Sequence, residues 1–256
     1  MLLSFDVRRS TFNVRRFIGF SLMLTAIIVA GGSSRRMGFD KTFALLAGKP
    51  VIAHAIAAFE CAACVEAIVL VGRAERLEEL RDVVRQNQFL KVQSVVAGGA
   101  LRQNSVAAGL AALAPACRFV AVHDAARPLV TASQIERVLT AAQTHGGAAL
   151  AAPVTDTLKR AGEDYVVRGA VEREGVFAMQ TPQIFARDAL EEAYARVAAG
   201  RFSITDEVSA FEHLRRKVVL VPNHEPNIKI TFSSDLVLAE ALIGRREPSI
   251  DQPPVR

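Results

Sequence analysis

Tryptophan is absent from this sequence, and only two tyrosines and three cysteines occur in its 256 residues. With so few ring side chains of these kinds there is no aromatic platform on which nucleic-acid bases could stack. Only Cys61 and Cys64 lie close together, and no second ligand pair stands ready to complete a zinc site or a disulfide framework. The cysteines are therefore expected as small buried apolar residues of a protein in a reducing, cytoplasmic compartment. A broad excess of one charge is missing too. The formal net charge is +5, but residues 1–20 set Arg8, Arg9, Arg15 and Arg16 against Asp6 alone and so hold +3 of it. The remainder is close to balanced and shows no basic helix face, so no nucleic-acid partner is expected. Long apolar runs are also lacking. Residues 15–32, RRFIGFSLMLTAIIVAGG, have the outline of a secretory signal but are too short and interrupted for a comfortable membrane span. Cleavage near Ala30 would destroy the glycine loop that follows. Residues 1–22 are accordingly expected to be a disordered or loosely packed extension, with no membrane partner.

What is present is a rhythm. The chain is 51% hydrophobic, enough for one sizeable core. From Thr25, short β-branched or apolar runs (25–30, 66–72, 91–96, 118–123, 148–154) alternate with helical patterns (50–61, 74–87, 102–114, 131–144). That alternation predicts an α/β fold with a mostly parallel, Rossmann-like sheet flanked by helices. Ligands on such sheets bind beyond the carboxyl ends of the strands. Residues 154–185 break the rhythm with two extended runs around a Gly-Glu-Asp turn and no helical apolar stripe, which reads as a projecting β-hairpin arm. An arm that cannot bury itself packs on a partner, so a homodimer is expected through it. Helices at 187–199 and from about Thr205, a strand at 217–222, an extended 227–231 and a helix over Ser233–Arg245 complete one domain at 23–246. Residues 247–256 are a frayed tail.

The stretch AGGSSRRMGFDK (30–41) sits between a strand and a helix, where phosphate loops belong. It matches neither the Walker pattern nor G-x-G-x-x-G. Gly31 and Gly32 let the backbone approach a ligand, and Ser33 and Ser34 add hydroxyls. Arg35, Arg36 and Lys41 supply the positive charge that a polyphosphate needs before it can be attacked. Asp124 closes a strand and faces the same strand-end crevice. It either holds a metal or a sugar hydroxyl, or caps the next turn.

The loop resembles the signature of nucleotidyltransferases that activate a sugar-like phosphate with a nucleoside triphosphate. By itself it fits the molybdenum-cofactor guanylyltransferases equally well. GGALRQNSVAAGL (98–110), VHDAARP (122–128), DTLKR (156–160), QTPQIF (180–185), ITDE (204–207) and NIKIT (227–231) follow in order. Together with the loop they resemble the 2-C-methyl-D-erythritol 4-phosphate cytidylyltransferases of the non-mevalonate isoprenoid route, over roughly residues 25–244.

The resemblance implies transfer of CMP from CTP to 2-C-methyl-D-erythritol 4-phosphate, with Mg²⁺ as the divalent cofactor. It assigns CTP binding to Ala30, Gly31, Gly32, Gly98, Gly99, Ser105 and Asp124, of which Ser105 and the backbones of Ala30–Gly31 and Gly98–Gly99 read the base. It makes Arg36 and Lys41 the cations that stabilise the transition state, and Lys229 the residue that aligns the attacking phosphate. Asp124, Arg127, Thr157 and Arg173 meet the sugar-alcohol phosphate with Lys229, and Asp124 is also placed at the metal. Arg173, in AVERE, would reach into the neighbouring subunit. Read without the resemblance, Arg173 between Glu172 and Glu174 is a solvated hairpin charge.

The sequence departs from the family pattern at GFDKTF, which lacks the usual Pro-Lys-Gln, at AGG in place of Ala-Ala-Gly, and at Ala100, where an acid is common. Other readings carried forward are a cytidylyltransferase acting on ribitol 5-phosphate or another polyol phosphate, a guanylyltransferase, and an inactive CTP-binding regulatory module. Thr205-Asp206-Glu207 reads as a helix start, and His123 as a residue bonded locally.

Overall fold

The computed structural model describes residues 24–32 and 40–245. The expected extension at 1–22, the tail at 247–256 and Arg36 of the glycine loop lie outside them. In chain order the first elements are β1 (Leu24–Ala30), β2 (Leu45–Leu46), β3 (Lys49–Pro50), α1 (Val51–Cys61), β4 (Val65–Gly72), α2 (Leu77–Asn87), β5 (Val92–Ala97) and α3 (Arg102–Ala111). Next come β6 (Phe119–Asp124), α4 (Ala132–His145), β7 (Gly147–Pro153), β8 (Leu158–Ala161), β9 (Val167–Val171) and β10 (Phe177–Ala186). The chain closes with α5 (Arg187–Gly200), α6 (Glu207–His213), β11 (Val219–Pro222) and α7 (Ser233–Gly244).

The main sheet runs β11-β7-β10-β6-β1-β4-β5. β1 lies parallel to β4 and β6, β4 to β5, and β7 to β11, while β10 runs antiparallel between β6 and β7. This is the mostly parallel, helix-covered sheet that the alternation predicts. A strand covered on both faces must be apolar on both. In β1, Ala26 and Ile28 enter one core with Ile52, Phe59 and Ile135, and Ile27 enters the other with Val106, Leu190 and Phe211. None of the described helices is long and apolar enough to cross a membrane.

The arm is present and shorter than the extended pattern suggests. β8 and β9 pair with each other as a separate antiparallel hairpin, exposed to the point that Tyr165 at its turn is 91% accessible. From Phe177, however, the chain is β10 of the main sheet, and Thr181, Gln183, Ile184 and Phe185 are buried. The polar residues of this stretch are satisfied inside the fold. Thr181 Oγ1 accepts from the Asp124 amide at 3.1 Å, and Gln183 Oε1 accepts from the Glu207 amide at 3.1 Å. A strand whose polar groups are all paired is buried at little cost.

Candidate active site

Strand pairing brings the glycine loops together. Val29 of β1 stands level with Asp124 of β6, and the Ala125 amide donates to the Val29 carbonyl at 3.0 Å. One strand further out, the Gly98 amide donates to the Gly72 carbonyl at 2.7 Å. The ends of β1, β4, β5 and β6 therefore open on one edge, beside a cavity of about 590 Å³. Ser105, 2% accessible, lies at the foot of both loops. Its Oγ accepts from the Gly99 amide at 3.3 Å and donates to the Leu101 carbonyl at 3.4 Å. A Cβ on Gly98 would come within 2.4 Å of that Oγ, and one on Gly31 within 3.1 Å. Gly98 is glycine because nothing larger lets the loop close on Ser105.

Asp124 is buried at the end of β6 with both carboxylate oxygens engaged. Arg102 Nε, on the first residue of α3, donates to Oδ1 at 3.1 Å, and Lys229 Nζ donates to Oδ2 at 2.6 Å. Burial by itself would raise the Asp124 pKa, but the charges of Arg102 and Lys229 overrule it and hold the carboxyl well below the usual range. Lys229 reaches this position because its backbone is pinned on both sides. The Asn227 amide group donates to the Thr181 carbonyl at 2.9 Å, and the Ile230 amide donates to the Ala126 carbonyl at 2.8 Å. Ile230 itself is buried against Leu46, Val51 and Leu129. The Ile230 carbonyl accepts from Lys41 Nζ at 2.8 Å, so the two lysines meet at one edge of the cavity. The stretch leading to Lys41 is fixed by Asp40, which pairs with Arg73 and accepts from the Thr42 amide at 3.0 Å.

Behind Asp124, His123 is fully buried. Its Nε2 lies 3.1 Å from the Arg127 carbonyl and its Nδ1 lies 3.0 Å from Thr181 Oγ1. A carbonyl can only accept, so Nε2 carries the proton and Nδ1 accepts from the threonine hydroxyl. Burial pushes the His123 pKa down to about 4, against the pull of Asp124 next to it. The unfolded chain takes up a proton below about pH 6.5 that the folded chain refuses until about pH 4. Stability should therefore fall as the pH drops through that window, by about 2 kcal/mol between pH 7 and pH 5. Urea midpoints across that range measure it, and the slope should flatten in His123→Gln.

Of the residues singled out in the sequence, Ala30, Gly31, Gly32, Lys41, Gly99, Ser105, Asp124 and Lys229 line the cavity, with Gly98 directly behind Ser105. Arg127 does not line it. Its guanidinium donates to the carbonyls of Asn227 at 2.8 Å and Met179 at 3.1 Å, tying the Lys229 segment to β10. Thr157 and Arg173 are exposed and off the cavity, and Arg173 donates to the Thr155 carbonyl within the same arm. Sequence reading passed over Arg102 and the depth of Glu207. Glu207 is 0% accessible and holds Arg102 with both oxygens, at 2.8 and 3.1 Å, while its Oε1 accepts from the Tyr194 hydroxyl at 2.9 Å. Asp206 does start a helix, accepting from the Ser209 amide at 3.0 Å. Among the described residues no three His, Cys, Asp or Glu side chains gather as a cation cage. With its oxygens held by Arg102 and Lys229, Asp124 does not fit a resident metal. Nor do the cysteines form a ligand set: all three are free, and Cys61 is exposed rather than buried.

A crevice that joins a pliable glycine backbone, a buried serine and converging cations can hold a polyanion and orient a second one against it. Relatives place this chemistry. The family model described as IspD, 2-C-methyl-D-erythritol 4-phosphate cytidylyltransferase, matches residues 24–245. The chain is 41% identical over 221 residues to the 2-C-methyl-D-erythritol 4-phosphate cytidylyltransferase of Dehalococcoides mccartyi strain CBDB1, covering 86% of this chain and 96% of that protein. Among solved structures, the 4-diphosphocytidyl-2C-methyl-D-erythritol synthase of Anaerococcus prevotii superposes with a TM-score of 0.77 at 28% identity, over 88% of this chain and 97% of its own. The 2-C-methyl-D-erythritol 4-phosphate cytidylyltransferase of Thermus thermophilus superposes with a TM-score of 0.72 at 31% identity, over 85% and 98%. The chain belongs to the 2-C-methyl-D-erythritol 4-phosphate cytidylyltransferase family.

Proposed function

We propose that the crevice transfers CMP from CTP to 2-C-methyl-D-erythritol 4-phosphate, for precursors of isoprenoids. A phosphate oxygen of the acceptor forms a bond to the α-phosphorus of CTP, and the bond from that phosphorus to the bridging oxygen breaks. The products are 4-diphosphocytidyl-2-C-methylerythritol and pyrophosphate, with no covalent intermediate on the protein. The observation that carries this reading is Lys229 held beside Asp124 where the glycine loops end, in a chain of this family. Lys229 aligns the attacking phosphate. Lys41, with Arg36 from the same loop, meets the charge that builds on the α-phosphate as pyrophosphate leaves. The backbones of Ala30–Gly31 and Gly98–Gly99 and Ser105 read cytosine, which needs fixed donors and acceptors rather than charge. Any Mg²⁺ enters with CTP as part of the substrate, where it neutralises triphosphate charge, and no step is assigned to a protein-held ion.

Residues 23–246 act as one catalytic domain, and the arm, which ends before Phe177, joins two copies in a homodimer. Thr157 and Arg173 then serve the neighbour's acceptor site. Their exposure away from their own cavity, and the exposed Tyr165, Val166 and Val167 at the hairpin turn, support that arrangement. Pyrophosphate release in the presence of Mg²⁺ tests the reaction. It should occur with CTP and methylerythritol phosphate and fail when GTP replaces CTP or ribitol 5-phosphate replaces the acceptor. Release with ribitol 5-phosphate alone would move the assignment to another polyol phosphate. Gly98→Ala supplies a second check, since its Cβ would overlap Ser105 Oγ. An overlap of that kind costs about 1–3 kcal/mol, so the KM for CTP should rise between roughly 5- and 150-fold with the acceptor's KM little changed.

A further inference from the structure

We propose that Glu207 is a positioning residue for the reacting site: by holding both terminal nitrogens of Arg102, it keeps Asp124 shared between Arg102 and Lys229. The inference rests on the reading of Lys229 given above. Glu207 sits on the first turn of α6 with its carboxylate wholly inside the protein. That carboxylate is not needed to start the helix. Asp206 caps it through the Ser209 amide, and Gln183 Oε1 takes the amides of Glu207 and Val208 at 3.1 and 3.2 Å. Nor is a buried ion pair an economical way to stabilise a fold, because desolvating the two charges consumes most of their attraction. What the pair does accomplish is orientation.

A guanidinium offers a two-pronged edge at its terminal nitrogens and a further donor at Nε. In Arg102 the fork faces Glu207, and Nε alone remains for Asp124 Oδ1. Asp124 Oδ2 is thereby left to hold Lys229 Nζ. Tyr194, on α5, fixes the far side of Glu207 by donating to Oε1. The order of contacts is Tyr194, Glu207, Arg102, Asp124, Lys229. It runs from the packed side of α5 to the cavity and passes through residues separated by 105 positions at two of its steps. Without charge on Glu207, the Arg102 fork would turn to the nearest carboxylate. Asp124 would need both oxygens to satisfy it, and Lys229 would lose its anchor.

The test uses the full chain with Glu207→Gln, Arg102→Met and the double variant, with Glu192→Gln as a control for loss of a carboxylate in the exposed pair with Arg216. Two quantities are read: kcat and KM from pyrophosphate release, and the rate at which an N-hydroxysuccinimide acetate labels the Lys229 amine, mapped by mass spectrometry without substrates. Glu207→Gln should lower kcat by about 30- to 100-fold, as expected for a small displacement of a reacting group, with the KM for CTP within about threefold. Lys229 should label severalfold faster while Lys159, on the arm, is unaffected. Both effects should largely disappear when Arg102 is already methionine, because Glu207 acts through it. Wild-type kcat, unchanged labelling, or an undiminished effect in the Arg102→Met background would overturn the proposal. If the unsubstituted chain releases no pyrophosphate, the assigned reaction fails, and the labelling series still decides the role of Glu207. Tyr194→Phe, which removes one hydrogen bond and no charge, replaces Glu207→Gln if that variant does not fold; unchanged Lys229 labelling there also counts against the proposal.

Discussion

Replacement of Lys229 by alanine is expected to reduce turnover about 10²- to 10³-fold, because the attacking phosphate loses the group that aligns it on the α-phosphorus. The loss should fall on kcat, because the glycine loops and Ser105, to which the proposed function assigns the nucleotide, are untouched. It should not be a folding defect. The Lys229 side chain is 42% accessible, and the 12% accessible Asp124 keeps its contact with Arg102 when the amine is removed, so its charge is not left unpaired. The Lys229 backbone is held independently of the amine, by Asn227 on Thr181 and by Ile230 on Ala126. Thermal melts of the variant should therefore overlay those of the wild type. Arginine should not rescue it. A planar fork would compete with Arg102 for both oxygens of Asp124, whereas an amine takes only Oδ2. An intact chain that binds CTP tightly yet releases no pyrophosphate would favour the inactive regulatory module. Full activity in Lys229→Ala would remove Lys229 from the chemistry altogether.

The residues that were legible beforehand are those whose role is local. Gly31, Gly98 and Ser105 lie in short motifs between a strand and a helix, and strand pairing then closes them on one another. Asp124 is readable because it ends a β-branched run, and the last residue of a parallel strand faces the ligand edge by geometry. Arg102 was quoted within a motif and given no role, since its two partners lie 22 and 105 positions away. Glu207 looked like one more acid in a helix start. Only the packing of α6 against α5 and the reach of Arg102 from α3 turn it inward, and no periodicity encodes that. The stretch from Phe177 looked like arm for a related reason. An extended run without a helical apolar stripe fits a projecting arm and a sheet strand alike, and the partners that bury Thr181 and Gln183 come from β6 and α6 rather than from their own neighbourhood. Arg127 is the converse case. The resemblance gives it a ligand contact, and in the structure its terminal nitrogens donate to two backbone carbonyls. Cations near an anion site divide between those that touch the ligand and those that hold the loop that does. The sequence does not separate the two.

The arm supplies the other large expected effect. Arg173→Ala should reduce turnover by about 100-fold, although Arg173 lies on an exposed hairpin and does not line the cavity of its own chain. A lone exposed arginine with acidic neighbours would ordinarily be dispensable, so a loss of this size requires that it act elsewhere. Co-expression of Arg173→Ala and Lys229→Ala chains decides where. If each site combines Lys229 of one chain with Arg173 of the other, half of the dimers in a random mixture are mixed. Each mixed dimer then holds one site with both residues intact, so about a quarter of wild-type activity should return. If each chain serves its own site, every site in the mixture lacks one of the two residues and activity stays at the level of the single variants. The same experiment addresses the bare reading of Arg173 as a solvated charge, because on that reading its alanine variant is active before any mixing. Recovery in the mixture, absent from either variant alone, requires two copies of the chain to build one site. The exposed β8–β9 hairpin would then be a part of the catalytic machinery that its own chain does not use.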